Sequence, residues 1–203
     1  MLVGKKAILI AWFTLIFNVQ SPKVILFFGD SLTAGYGLSP EEAFPALLET
    51  ELIKAGKKVK IVNAGLSGET SAGGLSRIDW ILRQPVDVFV LELGANDGLR
   101  GLPIDQTRKN LQSIIDKVKT KYPACKIVLA GMMVPPNMGK HYTDEFKNIY
   151  PELAKKNSTT LIPFILEGVA GDEKLNQPDG IHPNIEGHKI IANNLKPIFQ
   201  KLI

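Results

Sequence analysis

Central to this chain is the segment Phe27-Phe28-Gly29-Asp30-Ser31-Leu32-Thr33-Ala34-Gly35-Tyr36-Gly37, which continues the apolar run 24–28. A continuous run of β-branched and aromatic residues predicts a strand that is buried on both faces. The Gly-Asp-Ser at its end predicts a sharp turn, which would present Ser31 at the carboxyl edge of a sheet. Ser31 is therefore a candidate nucleophile, and a helix N-cap is the competing interpretation of the same residues.

Hydrophobic patterns along the rest of the chain predict strands that alternate with helices. Further strands are predicted at 58–63, 86–93, 126–131 and 159–164, and helices at 39–56, 75–83, 104–121, 144–156 and 184–201. Ser39 is expected to cap the first helix, and the small residues of 64–74 are expected to form a loop that lets the backbone approach a ligand. The alternation predicts an α/β fold with a parallel sheet covered on both faces, whose strands all end at one edge.

Length and composition fit one globular domain with a sizeable core. The chain has 203 residues, of which 45% are hydrophobic, and its formal net charge is +4. The charged residues are scattered along the sequence instead of forming a basic stripe, which argues against a nucleic-acid partner. The lone Cys125 excludes an internal disulfide and a cysteine-based metal site.

The first 21 residues differ from the remainder. Residues 1–6 carry Lys5 and Lys6, and 7–19 is almost wholly apolar, which is typical of the n-region and h-region of a secretory signal. Residues 18–22 offer no Ala-x-Ala cleavage pattern, so an uncleaved N-terminal anchor is the alternative. We therefore expect an exported protein, periplasmic or secreted, with a single domain over residues 22–203.

A second group that can carry chemistry lies near the C-terminus, in Asp179-Gly180-Ile181-His182-Pro183. The imidazole Nδ1–H of His182 can donate to Asp179, which leaves Nε2 free to take a proton from Ser31. An isolated Asp-x-x-His is more often a surface loop. The other histidines are weaker candidates, because His141 has only a neighbouring aspartate and His188 is expected on the surface of the last helix.

An acyl-transfer site also needs donors for a developing oxyanion. The backbone N–H groups of Ser31 and Gly65 and the side-chain amide of Asn96 are suitable, because each residue follows a different predicted strand. Parallel strands end at the same edge of a sheet, so we expect the three to meet there. Gly65 or Asn96 alone would more often be an ordinary turn residue.

These segments resemble the four ordered blocks of the SGNH, or GDSL-type, hydrolases. The resemblance rests on Gly29-Asp30-Ser31-Leu32, the Gly65 loop, Gly94-Ala95-Asn96-Asp97 and Asp179-Gly180-Ile181-His182-Pro183, and it extends from about residue 23 to the C-terminus. Within the family, Gly35-Tyr36-Gly37, the segment 63–70 and Pro136-Asn137-x-Gly139-x-x-Tyr142 are similar to the bacterial arylesterase and acyl-CoA thioesterase/lysophospholipase group.

The resemblance implies a flavodoxin-like three-layer α/β/α sandwich with a five-stranded parallel sheet. It also implies Ser31 as nucleophile, His182 as base and then acid, Asp179 as the orienting carboxylate, and Gly65 and Asn96 as oxyanion donors. Asp30 and Asp97 would be structural members of their turns, and neither a metal nor a cofactor is implied. Substrate contacts are expected from Met133, Pro136, Asn137, Tyr142 and Ile181, with Met132 and Met138 as further candidates for an acyl groove.

We therefore expect a serine esterase or thioesterase that hydrolyses aryl esters, acyl thioesters or lysophospholipids through an acyl-Ser31 intermediate. Its partner would be a small-molecule or lipid ester. We also expect the protein to be a monomer that contacts a membrane transiently. Three alternatives are a carbohydrate O-deacetylase, a nucleotide- or phosphate-binding module and a catalytically idle interaction domain. The aromatic content of 7% gives little support to the first, and the Lys-Ser/Thr of a P-loop is missing for the second.

Overall fold

Five parallel strands form the centre of the computed structural model, which describes residues 21–203. The strands are β1 (Lys23–Gly29), β2 (Val59–Asn63), β3 (Val88–Glu92), β4 (Lys126–Ala130) and β5 (Thr160–Ile162). Their order across the sheet is β2-β1-β3-β4-β5, and every neighbouring pair is parallel. The predicted export segment, residues 1–21, lies outside the described residues apart from Ser21.

Helices cover both faces of this sheet, so the predicted α/β/α fold is confirmed. They are α1 (Ser31–Ala34), α2 (Phe44–Lys54), α3 (Ser71–Ile81), α4 (Ala95–Leu99), α5 (Ile104–Lys121), α6 (Lys140–Asn157) and α7 (Ile185–Leu202), with a 3-10 turn at Pro136–Met138. Helix α2 packs against α7 in one layer, and α5 packs against α3 and α6 in the other. None of the helices between residues 21 and 203 combines the length and the apolar character that a bilayer crossing requires.

Strand β1 illustrates why a run without polar alternation folds as a central strand. Phe27 points to one layer, where its ring lies 5.5 Å from that of Phe44 in α2 and 5.6 Å from that of Phe199 in α7. Phe28 points to the opposite layer and packs over Gly74 of α3. Because successive side chains point to opposite faces and both faces are covered, the strand is apolar from Val24 to Phe28.

Helix α2 starts later than predicted. The side-chain hydroxyl of Ser39 donates to the Glu42 carboxylate at 2.8 Å, and the Ser39 N–H donates to the same oxygen at 3.0 Å. These bonds close a single separate turn, after which the backbone is extended at Ala43 and the helix begins at Phe44. The predicted cap, Ser39, is therefore paired with Glu42, but it does not open the helix.

Helix α3 starts earlier than predicted, at Ser71 instead of residue 75. Thr70 caps it by accepting the N–H of Gly73 at 3.2 Å. A Cβ added to Gly74 would lie 2.4 Å from a methyl carbon of Leu93 and 3.1 Å from the Phe28 ring. The small residues of this segment therefore allow a helix to approach the sheet closely, so the prediction of a ligand-binding loop over 71–74 was wrong.

Helix α6 also starts earlier than predicted, at Lys140 instead of residue 144. Tyr142 consequently lies in its first turn, where the phenol donates to the carbonyl of Leu102 at 2.9 Å. The tyrosine ring stacks on Phe146 with a centroid distance of 6.4 Å. This residue therefore anchors α6 on the segment between α4 and α5.

His188 is buried, which corrects the prediction that it lies on the surface. Its exposure is 1%, and its Nδ1 accepts the backbone N–H of Phe44 at 3.0 Å. That N–H belongs to the first turn of α2 and has no partner within the helix, so the histidine of α7 supplies an acceptor. Burial lowers the pKa of His188 to about 4 from the ordinary 6.5, because the imidazolium would lose its solvation.

Because the folded chain requires a neutral His188, we predict that its stability depends on pH. The unfolded chain protonates this residue near pH 6.5, whereas the folded chain resists protonation until about pH 4, so stability is full above pH 6.5 and falls as the pH drops. Between about pH 7 and about pH 5, His188 should lower the free energy of unfolding by roughly 2 kcal/mol. His188→Asn keeps an acceptor and cannot titrate. Denaturant unfolding of this variant should therefore show a smaller loss of stability between about pH 7 and about pH 5 than the wild type shows.

His141→Asn is the control, because this side chain is exposed on α6. It should retain the pH dependence of the wild type. Equal slopes of stability against pH in wild type and His188→Asn would contradict the assignment.

Candidate active site

The turn after β1 presents Ser31 at the start of α1. The Asp30 side chain caps this short helix by accepting the N–H of Leu32 at 3.0 Å, and Gly35 ends it with a φ of 74°. Ser31 is 9% exposed and lies at the wall of a cavity. Within the described residues, no protein group accepts the backbone N–H of Ser31.

His182 reaches this serine from the loop before α7. Its Nε2 lies 2.9 Å from Ser31 Oγ, and its Nδ1 lies 2.7 Å from an oxygen of Asp179. The other carboxylate oxygen accepts the N–H groups of Ile181 and His182 itself, each at 3.0 Å. The backbone bond from His182 is the largest influence that lowers the pKa of Asp179, to about 2, so this carboxylate is ionised at neutral pH.

The loop that carries His182 is fixed to its surroundings at several points. Asn176 forms an antiparallel bridge with Pro183, and the Gln177 N–H donates to the carbonyl of His182 at 2.7 Å. The Gln177 side chain donates to the carbonyl of Tyr36 at 2.6 Å, which connects this loop to the segment after Ser31. The Tyr36 ring also packs against the imidazole of His182, with ring centroids 4.6 Å apart.

The prediction that Gly65 supplies an oxyanion donor is contradicted by the structure. The Gly65 N–H already donates to the side chain of Asn63 at 3.0 Å, and Gly65 lies outside the cavity wall. An added Cβ would lie 2.2 Å from the backbone nitrogen of Ala34, so this glycine permits close packing of the loop against α1.

Gly68, three residues further along, lines the cavity and has a φ of 78°. No protein group among residues 21–203 accepts its N–H. The loop is held by Arg77, which pairs with Glu69 and donates to the carbonyl of Ala64 at 2.8 Å. Sequence reasoning found the glycine-bearing loop but selected the wrong glycine, because a motif does not show which N–H groups are already paired.

Asn96 lies where the prediction expected it, at the edge of the sheet beside the Ser31 turn. Its side-chain amide donates to the carbonyl of Glu69 at 3.1 Å and to Asp30 at 3.3 Å, and the residue lines the cavity. The adjacent Asp97 is buried and accepts the N–H and the hydroxyl of Ser71 at 2.7 and 2.5 Å. Asp97 therefore connects the Asn96 turn to the first residue of α3.

An apolar cavity of about 560 Å³ opens beside these groups. Besides the residues already named, its wall contains Leu99, Met132, Met133, Val134, Pro135, Pro136, Phe164, Leu166, Ala170, Gly171, Gly180 and Ile181. The hydroxyl of Ser31 and the ring of His182 thus face a cavity whose wall is mostly hydrocarbon. A cavity of this kind and size is typical of small-molecule sites.

Three of the five predicted substrate contacts line this cavity, namely Met133, Pro136 and Ile181. Tyr142 does not, because its phenol is used to anchor α6. Asn137 lies on the exposed side of the 3-10 turn and is also absent from the cavity wall. The structure therefore brings together the apolar members of the predicted set and leaves out the two polar ones.

Beneath Ser31 lie two buried carboxyl groups, of Asp30 and Glu92. Both are 0% exposed. Burial raises the pKa of Asp30 to about 6, and burial together with the Asp30 charge raises the pKa of Glu92 well above its usual range. Sequence reasoning did not consider Glu92, although a glutamate inside the otherwise apolar run Val88–Leu93 was a visible signal.

The geometry as a whole suits nucleophilic catalysis at a carbonyl carbon. A hydroxyl in hydrogen-bond contact with an imidazole, which contacts a carboxylate in turn, is the arrangement that activates a serine. The N–H groups of Ser31 and Gly68, which have no protein acceptor among residues 21–203, belong to residues that line the same cavity. The Asn96 amide lies beside them and would exchange one of its long hydrogen bonds, to Glu69 or Asp30, for a bond to a developing oxyanion. Within residues 21–203, no cluster of three or more His, Cys, Asp or Glu side chains is arranged to hold a metal ion.

Comparisons with known proteins agree with this geometry. Residues 27–190 match the GDSL-like lipase/acylhydrolase family. The chain is 38% identical to Esterase TesA of Pseudomonas aeruginosa, over 89% of this chain and 90% of that protein. It is 40% identical to the thioesterase 1/protease 1/lysophospholipase L1 of Escherichia coli, over 93% of this chain and 89% of that protein.

A solved structure is also similar over most of the chain. It is a crystal structure of the psychrotrophic esterase EstA from Pseudoalteromonas sp., inhibited by monoethylphosphonate, with a TM-score of 0.83 and 33% identity. The alignment covers 88% of this chain and 97% of that one.

Removing the Asn96 side chain tests whether it stabilises the oxyanion. Asn96→Ala should lower kcat for an activated aryl ester by about 10²–10³-fold with little change in KM, because the donor acts mainly on the transition state. Steady-state kinetics measure both constants. Asn193→Ala, which removes an exposed amide on α7, should leave them unchanged. A rise in KM with an unchanged kcat in Asn96→Ala would contradict the oxyanion role.

Proposed function

The chain belongs to the GDSL-like lipase/acylhydrolase family and is a carboxylic ester hydrolase, and we propose that it acts on esters and thioesters of apolar acyl chains through an acyl-Ser31 intermediate. The observation that carries this proposal is the hydrogen-bonded series Ser31, His182 and Asp179 at the wall of an apolar cavity. A binding module would not need a serine paired with an oriented imidazole.

Acylation begins when His182 Nε2 removes the proton from Ser31 Oγ as the oxygen attacks the carbonyl carbon of the substrate. Asp179 holds the imidazole by Nδ1 and stabilises the imidazolium that forms. The negative charge that develops on the carbonyl oxygen is bound by the N–H groups of Ser31 and Gly68 and by the Asn96 amide. The imidazolium then protonates the leaving alcohol or thiol, and the acyl group remains on Ser31.

Deacylation repeats these steps with water as the nucleophile. His182 removes a proton from the water, which attacks the acyl carbon, and the same three donors bind the second oxyanion. Collapse of the intermediate releases the carboxylic acid and returns the proton to Ser31 Oγ. The wall of the cavity lets the acyl chain stay in place between the two half-reactions.

The composition of the cavity wall supports an acyl chain as the bound part of the substrate. Methionines 132 and 133, Leu166 and Ile181 offer hydrocarbon and thioether surface, and methionine adapts to chains of different shape. A sugar would instead require polar side chains and aromatic platforms. Carbohydrate O-deacetylation is therefore less compatible with this wall than hydrolysis of an acyl ester.

The N-terminal segment supports the proposal that this hydrolase is exported from the cytoplasm. A pair of lysines followed by an apolar run is typical of an export signal or an N-terminal anchor. An exported monomer that contacts a membrane transiently, through the exposed side chains of Leu99, Met133 and Ile181 at the cavity, would obtain lysophospholipids and other lipid esters directly.

Replacing the nucleophile gives the most direct test of the mechanism. Ser31→Ala should abolish turnover of aryl and thioester substrates and prevent covalent labelling by a fluorophosphonate probe. Hydrolysis by the wild type should show a burst of alcohol release if deacylation is slower. Intact-protein mass spectrometry detects the adduct, and a variant that keeps full esterase activity without the hydroxyl would refute the acyl-enzyme.

Acyl-chain length tests the substrate class. Each methylene buried in the cavity contributes about 0.8 kcal/mol, so kcat/KM should rise by up to about fourfold per carbon from acetyl esters until the chain fills the space. A panel of p-nitrophenyl esters, acyl-CoAs, lysophospholipids and acetylated sugars measures this. A maximum on acetylated sugars would instead favour the deacetylase.

Met133→Ser should reduce the gain per carbon, because it makes the wall more polar. It should leave the turnover of the acetyl ester nearly unchanged. An unaltered chain-length profile would show that acyl chains bind elsewhere.

A further inference from the structure

Glu92 is a buried carboxyl group that the mechanism above does not use. It is the last residue of β3 and pairs in the sheet with Gly29, which precedes the Ser31 turn by one residue. One of its oxygens accepts three hydrogen bonds, from the Asp30 N–H at 3.3 Å, the Thr33 N–H at 3.2 Å and the Thr33 hydroxyl at 2.6 Å. A single carboxyl oxygen therefore binds residues on both sides of Ser31.

The hydrogen bonds of this turn leave one N–H free. The N–H groups of Asp30 and Thr33 donate to Glu92, and that of Leu32 donates to the Asp30 side chain. Among the described residues, only the Ser31 N–H of these four lacks a protein acceptor. Glu92 and Asp30 thus pair the other three N–H groups of the turn. The Ser31 N–H, which the substrate carbonyl needs as a donor, stays free within residues 21–203.

Gly29 provides the space for this carboxyl group. A Cβ at this position would lie 2.3 Å from the bound oxygen of Glu92 and 2.2 Å from the Thr33 hydroxyl oxygen. Real Cβ atoms do not approach that closely, so the Glu92–Thr33 contact requires glycine in β1. The first glycine of the Gly-Asp-Ser sequence is thereby explained by a group on the neighbouring strand.

The second oxygen of Glu92 is buried and has no partner among the described residues. An ionised carboxylate with an unsolvated oxygen would be costly, and the nearby Asp30 adds a repulsive charge. The same burial raises the pKa of Glu92 well above its usual range. Burial therefore opposes ionisation of this group, and its contacts with the turn are the hydrogen bonds that its other oxygen accepts.

We propose that Glu92 is a positioning residue of the hydrolase, which fixes the Ser31 turn from below so that the Ser31 hydroxyl and N–H both face the substrate. This inference rests on the proposed function, since it concerns the same nucleophile. Glu92 does not touch the substrate, because it is fully buried behind the turn and is absent from the cavity wall. Its effect on catalysis passes through the geometry of Asp30 and Thr33.

The test compares an acceptor-keeping and an acceptor-removing variant. In Glu92→Gln the amide oxygen can accept the same three hydrogen bonds, so kcat should stay within about threefold of the wild type. In Glu92→Met the side chain keeps its length but accepts none of them, so kcat should fall by about 10- to 100-fold with little change in KM. Fluorophosphonate labelling of Ser31 should slow by a similar factor.

Val90→Thr is the matched control, because it places a hydroxyl in the same buried strand, two residues further from the turn, at a position that is 0% exposed. It should lower Tm while leaving kcat and the labelling rate unchanged below the unfolding transition. If Glu92→Met behaves in the same way, the residue supports only stability and the proposal is wrong. A loss of 100-fold or more in Glu92→Gln would also overturn it, since the required property would then be the acid and not the acceptor.

Thr33→Val decides the question if Glu92→Met does not fold. This nearly isosteric change removes the shortest of the three hydrogen bonds, and kcat should fall by about three- to tenfold at an unchanged KM. An unchanged kcat would overturn the proposal. The proposed function fails separately, if wild-type protein neither turns over esters nor is labelled at Ser31.

Discussion

The parallel pairing of β1 with β3 is the constraint on which the site depends. It places Gly29 beside Glu92, so the chain leaves both strands at the same level and in the same direction. The Ser31 turn and the Asn96 turn follow directly and lie side by side at the carboxyl edge. After β1 the chain continues to β2, whereas after β3 it continues to β4 on the opposite side. The connections that leave β1 and β3 therefore run over different faces of the sheet, and a crevice opens between the two turns.

The sequence was most informative where physical requirements are local. Buried parallel strands require continuous apolar runs, so all five strands were predicted within two residues at each end, and α5 was predicted with both ends correct. The amphipathic pattern of α5 places Leu111, Ile114 and Ile115 on one face, and all three are buried. The polar turns that follow these strands could then be assigned to one edge by topology alone.

Predictions were wrong where one group satisfies another that is distant in sequence. The N–H of Phe44 is paired with His188, 144 positions away, and this bond explains both the start of α2 and the burial of a histidine expected on the surface. Glu92 pairs with Thr33 in the same manner. A pattern of residue types names possible donors and acceptors, but only the folded chain determines which of them have already been paired.

The choice between Gly65 and Gly68 shows this limit within a single motif. Both glycines belong to the segment Asn63–Thr70, and both are small enough for a backbone N–H to approach a ligand. The Asn63 side chain, however, takes the N–H of the first, and α1 packs against its Cα. The second has a left-handed backbone at the cavity, where its N–H has no protein acceptor among residues 21–203. Donor availability, and not residue type, therefore distinguishes the two.

The catalytic residues are held in position by different parts of the structure. Ser31 and Asn96 follow buried strands and are fixed by the sheet, whereas His182 belongs to the loop between β5 and α7. That loop is held by hydrogen bonds, and the one from the Gln177 side chain to the Tyr36 carbonyl joins it to the segment that carries the nucleophile. Because Tyr36 also packs on the imidazole, the base is attached to the same short segment from which it must take a proton. A displacement of the loop therefore acts on the Ser31 turn as well, and the distance between the hydroxyl and the imidazole is controlled by local bonds more than by the distant core.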